Sequence, residues 1–96
     1  MILERNLDYQ NREVDLVALD QTHDEIVFCE VKYRSNERYG AGYEAVNHLK
    51  LAKLERVATA YLKKMQLQKD YRFDIISVCG DLNRPQIEHF ENITWL

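Results

Sequence analysis

Ninety-six residues, 46% hydrophobic and 30% charged, describe one domain with a single modest core and leave no room for a second. No apolar run reaches the ~20 residues of a membrane span, and "MILERNLDYQ" lacks the apolar segment of a signal peptide, so a cytoplasmic protein without membrane contact is expected. The net charge of −3 argues against a polyanionic partner, but Lys32 to Arg72 holds ten Lys/Arg and four Asp/Glu. That asymmetry fits a basic surface beside an acidic one, or simply a solvated basic helix.

The first expected element is a strand over residues 2–9, polar for its type. "REVDLVALD" (12–20) alternates apolar and polar residues and reads as a second strand. The polar "QTHD" (21–24) turns the chain into a third strand over 25–33, rich in β-branched and aromatic residues. "RSNERYGAGY" (34–43) is a loop containing Gly40 and Gly42. A helix over about 44–68 places Val46, Leu51, Leu54, Val57, Ala58, Tyr61, Leu62 and Met65 on one broad face. Lys53, Arg56, Lys63 and Lys64 lie outside that face or at its margin, and Asn47 and Lys50 interrupt it near the helix N-terminus. "YRFDIISVCG" (71–80) reads as a buried strand, "DLNRP" as a turn, and "QIEHFENITWL" as a last short strand. The order βββαββ predicts an α+β domain, a mixed sheet with one long helix on one face. Cys29 and Cys79 fall in apolar strands without metal-ligand spacing and read as buried, reduced thiols.

Side chains along a strand alternate between faces, so Ile26, Phe28, Glu30 and Lys32 share one. If "QTHD" closes a hairpin with Asp20 opposite Glu25, then Leu19 faces Ile26 and Val17 faces Phe28. The same register sets Asp15 opposite Glu30 and Glu13 opposite Lys32, all on one face. Directly opposed like charges are destabilising, so Asp15 against Glu30 calls for a cation. Lys32, with Lys50, could supply it as an internal ion pair; a divalent metal on oxygen ligands is the other reading. The register leaves both open, and a bulge would shift it.

Asp15, fourteen intervening residues and then "EVK" at 30–32 resemble the D…ExK pattern of the PD-(D/E)XK nucleases. Alone, that pattern is common. With "ILERN", "EVDLVALD", "VFCEVKYRS", "YGAGYEAVNHLKLAKLERVATAYL", "RFDIISV" and "IEHFENI" in this order, nearly all of the chain resembles the YraN-like family of small bacterial proteins. The resemblance implies a restriction-endonuclease-like fold, related to archaeal Holliday junction resolvases. It also implies an endonuclease using Mg²⁺ or Mn²⁺ on DNA, with branched or junction DNA as the expected form.

Position by position, the resemblance implies Asp15 and Glu30 as metal ligands, with the carbonyl of Val31 as a third. Lys32 would orient and help activate the attacking water and stabilise charge on the phosphate. Glu13 matches a further acidic position, preceded here by Arg12 where the family has Gly. The family's chains open with a helix bearing a Gly-Glu pair, and this sequence starts at the following strand, so neither that pair nor that helix is expected among these residues. The departure keeps a second class open, a catalytically inactive nucleic-acid-binding or assembly module on the same scaffold. In either class Arg34 and Arg38 of the loop, with Lys50, Lys53 and Arg56 of the helix, are expected on the nucleic-acid surface. Tyr33, Tyr39 and Tyr43 are placed to stack on bases or to pack. His23, His48 and His89 lack ligand spacing and read as surface or structural residues. Val14, Leu16 and Val27 are expected on the sheet face without a helix, and that apolar face predicts a homodimer.

Overall fold

The computed structural model describes residues 1–9, 12–34, 48–80 and 83–93, without the side chains of Tyr9, Arg12, Arg34 and residues 48–51. Strands β1 (Ile2–Tyr9), β2 (Arg12–Asp20) and β3 (Glu25–Arg34) are followed by helix α1 (His48–Lys64) and by β4 (Asp70–Cys79) and β5 (Gln86–Phe90). They form one sheet in sequence order, β1-β2-β3-β4-β5. β3 and β4 run parallel, an arrangement that needs the crossover the helix supplies, and the other neighbours are antiparallel. The α+β class and the βββαββ order are those expected. Among the described residues no helix is long and apolar enough to cross a membrane.

The apolar face of α1 buries Leu54, Val57, Ala58 and Tyr61 against Val14, Val17, Ile26, Phe28, Phe73 and Ile75 of the sheet. Each large side chain removed from water there contributes about 1.5–3 kcal/mol. Phe28 is the centre of this layer, with its ring 5.9 Å from Tyr61, 6.0 Å from Tyr71 and 5.8 Å from Phe73. Met65, expected on the same face, is 48% exposed because the helix ends at Lys64 and the chain leaves the helical period there. Val46 and Asn47 lie outside the described residues, as do Gly40, Gly42, Tyr39 and Tyr43.

The end of α1 shows why it stops. The Leu67 N–H donates to the Leu62 carbonyl at 2.9 Å, and the Gln66 N–H to the Lys63 carbonyl at 3.2 Å. This pair of bonds is a Schellman motif, which needs a left-handed residue between helix and exit, and Gln66 holds that conformation with φ 54°. A side chain with a Cβ is strained there by about 1–2 kcal/mol. Gln66→Gly should therefore raise stability by about 1 kcal/mol, measured by chemical denaturation; a loss of stability would show that Gln66 makes contacts outweighing the strain.

The β2–β3 hairpin follows the expected register from Asp20↔Glu25 through Val17↔Phe28 to Leu16↔Cys29, and there the ladder stops. The β1–β2 ladder also skips this point, since Arg5 pairs with Leu16 and Leu7 with Val14 while Asn6 takes φ 53°. Val14 and Val17 are three residues apart yet both lie in the helix-side core, which strict alternation forbids. β2 thus turns over between them. Val14 belongs under the helix rather than on the uncovered face, and Glu13 is exposed. Val27 is buried, at 4% exposure, and the exposed apolar residues of the far face include Ile2, Val31, Tyr33 and Ile87.

Candidate functional site

Glu30 and Lys32 continue the row of Ile26 and Phe28 on the helix side of β3, where β4 sets Ile75 beside Glu30 and Ser77 beside Lys32. Lys32 Nζ lies 3.5 Å from Glu30 Oε1, with the two side chains 27% and 16% exposed. Glu30 borders a small crevice with Val14, Phe28, Leu54 and Ile93. A carboxylate at the rim of an apolar layer is thereby held against one wall and kept in reach of solvent.

Asp15 arrives by a different route from the one its ladder position suggests. Where the β2–β3 pairing stops, its Oδ2 accepts the backbone N–H of Val31 at 2.8 Å. The carboxylate occupies a place that a backbone carbonyl of a continuing ladder would fill. Asp15 therefore meets the Glu30–Val31 peptide instead of being clamped directly opposite Glu30 as a ladder pair. In an extended chain the N–H and C=O of one residue point the same way, so the Val31 carbonyl also faces β2.

Asp15 thus bonds the Val31 backbone, between Glu30 and Lys32, whose side chains pair with each other. Glu13 is not part of the group: it pairs with Asp8 at the β1 side and is exposed. Lys53 and Arg56 are exposed on α1, and Lys63 and Lys64 extend that basic side toward the helix end. Arg34 and Lys50 are placed only by their backbones, in β3 and α1, while Arg38 lies outside the described residues, as does the side chain of His48. Tyr33 is 55% exposed, and its hydroxyl donates to the Gly80 carbonyl at 3.3 Å.

The other sheet face carries a charge network that the sequence reading did not identify. Arg72 donates from Nη1 to Asp20 Oδ2 at 2.7 Å and to Glu25 Oε1 at 3.0 Å, and from Nε to Asp74 Oδ1 at 3.1 Å. Asp74, whose side chain is fully buried, also holds His89 Nε2 at 2.7 Å and accepts the Asn92 N–H at 3.0 Å. The available signal was a carboxylate in the middle of the apolar run "YRFDIISVC", with an arginine two residues earlier on the same strand face.

Asp20, His23 and Glu25 offer three metal-type ligand atoms within 4.8 Å of one another. The Arg72 guanidinium already bonds both carboxylates, so the cation there is part of the chain. The bond from Arg72, and then that from His23, hold Asp20 well below the ordinary carboxylate range. Asp20 in turn raises His23 above its ordinary value. Both cysteines are free and buried, and burial, reinforced by the Asp74 charge, pushes the Cys29 thiol up to about 11. Such a thiol is unreactive.

Comparison with known proteins gives consistent matches along the chain. The model of a family described as "Uncharacterised protein family UPF0102" matches residues 1–78. A UPF0102 protein of Fusobacterium nucleatum is 42% identical over 98 aligned residues, which cover 98% of this chain and 75% of that protein. A UPF0102 protein of Geobacter metallireducens is 41% identical over 92 residues, 95% of this chain and 74% of the relative. One from Photobacterium profundum is 39% identical over 93 residues, 94% and 71% of the two chains.

Proposed function

The chain belongs to the uncharacterised protein family UPF0102, the YraN family, and on that basis we propose a metal-dependent endonuclease that hydrolyses DNA phosphodiester bonds, branched DNA included. The observation that carries this reading is the bond from the Val31 N–H to Asp15, which brings a second carboxylate to the strand that bears Glu30 and Lys32. The donors suit Mg²⁺ or Mn²⁺: they are hard oxygens, and such ions commonly use one or two carboxylates with the substrate phosphate. Val31 engages Oδ2 of Asp15 and leaves Oδ1 as a donor atom. Glu30 and the Val31 carbonyl complete the proposed set.

Bound there, a divalent ion supplies Lewis acidity and neutralises phosphate charge. Lys32 orients the attacking water and balances charge on the phosphate as the water oxygen joins phosphorus and the P–O bond to the sugar breaks. No covalent enzyme intermediate is formed. Lys50, Lys53 and Arg56 of α1, with Arg34 and Arg38, hold the DNA backbone. The reading includes a homodimer, supported by the exposed Val31, Tyr33 and Ile87 on the sheet face away from α1.

Two measurements test it. Junction and duplex DNA are incubated with the protein and Mg²⁺ or Mn²⁺, and binding is followed against salt. Metal-dependent cleavage is expected, with log affinity falling against log salt by about 0.9 per phosphate contact on duplex DNA. Salt-sensitive binding without cleavage would assign the scaffold to an inactive binding module, and absence of binding at low salt would remove nucleic acid altogether.

A further inference from the structure

We infer that Ser77 is a positioning residue whose hydroxyl holds the ammonium of Lys32 once a divalent cation engages Glu30. The inference rests on the metal centre proposed above. Ser77 lies in β4 with no exposed surface, and its buried Oγ has no hydrogen-bond partner among the described residues. Such a group costs stability for as long as it is unpaired. A buried strand position is filled more favourably by an apolar residue, as Phe73 and Ile75 fill the two preceding positions on the same face of β4.

The register says what the hydroxyl is near. β3 and β4 run parallel with Lys32 beside Ser77 and Glu30 beside Ile75. Residues at matched positions of neighbouring strands point to the same face, so Ser77 stands alongside the Lys32 stem on the side that carries Glu30. The existing hold on Lys32 is loose: 3.5 Å to Glu30, against the ~2.7–2.9 Å of a charge-assisted bond. A dication at Glu30 draws on that carboxylate and repels the ammonium. An ammonium has three donors and no acceptor, so it then needs a partner that does not compete for the metal. A neutral hydroxyl on the adjacent strand meets that need.

The test titrates Mn²⁺ calorimetrically into wild type and Ser77→Ala and records melting temperatures with and without the metal. Ser77→Ala should be at least as stable as wild type without metal, because an unpaired buried hydroxyl is removed. It should bind Mn²⁺ about tenfold more weakly, as expected for loss of one hydrogen bond to a charged group in the bound state. On cleaved DNA the loss should fall on kcat with KM little changed. If Mn²⁺ binds wild type and Ser77→Ala equally, the role of Ser77 is overturned while the metal centre stands. If wild type takes up no Mn²⁺, the metal centre fails, and the inference fails with it.

Discussion

Asp15→Asn and Glu30→Gln should each abolish cleavage without unfolding the protein, and the structure says why the fold survives. The side-chain carbonyl of an asparagine at this position can still accept the Val31 N–H that Asp15 now takes at 2.8 Å, so the strand junction keeps its bond and loses only a charge. Glutamine at Glu30 preserves the packing along the crevice and gives up a partly exposed ion pair of the kind worth about 0–1 kcal/mol. Catalysis has no such tolerance. Removing a ligand that helps hold the ion forfeits several kcal/mol of transition-state stabilisation, about 10³-fold or more in rate.

Lys32→Ala is expected to behave differently, losing about 10²–10³-fold in rate while retaining most of the metal affinity, because its role is toward the water and the phosphate. The discriminating measurement is the Mn²⁺-induced shift in melting temperature across the three variants. A shift as large in Asp15→Asn as in wild type would remove the metal centre.

The largest effect on stability should come from Arg72→Met. Arg72 is 11% exposed and serves three carboxylates, one of them fully buried at Asp74. Breaking a buried pair by deleting one partner leaves an uncompensated charge and costs about 3–5 kcal/mol. That is a large part of the 5–15 kcal/mol that holds a domain together. The variant should also change the pH dependence. In wild type the folded-state pKa of Asp20 is depressed, so its contribution is present above the unfolded value near ~4 and is lost as pH falls through the folded value.

Acidification below about pH 4 should therefore weaken wild type through this group. Arg72→Met removes the bond that chiefly depresses Asp20, so its stability should fall less than that of wild type on the same acidification. His23 has the opposite sign. Its raised pKa gives stability that is fully present below about 6.5 and is lost as pH rises through the folded value. Denaturation curves at pH 7 and at pH 3–4 decide the matter: Arg72→Met within 1 kcal/mol of wild type at pH 7 would mean that the network is not a structural clamp.

Local periodicity was sufficient for the strand and helix order, because alternation and the helical stripe are properties of consecutive residues. The placement of Glu30 and Lys32 on one face, in line with Ile26 and Phe28, followed from that alternation. So did the pairing of Val17 with Phe28, once a four-residue turn was set at Gln21–Asp24. Three features depended on the assembled sheet. β2 turns over between Val14 and Val17, where Asn6 goes left-handed and leaves Asp15 out of both ladders, and the pattern "REVDLVALD" gives no local warning of it. The Arg72 network joins Asp20 to a residue 52 positions away, and an ion pair at that separation leaves no periodic trace. Ser77 reads as an ordinary polar residue in a strand until the sheet sets it between β3 and β5 with no exposed surface, and no described residue bonds its hydroxyl. Alternation decides which residues can share a face; only the neighbouring strands decide which charges meet on it and which polar atoms are left unpaired.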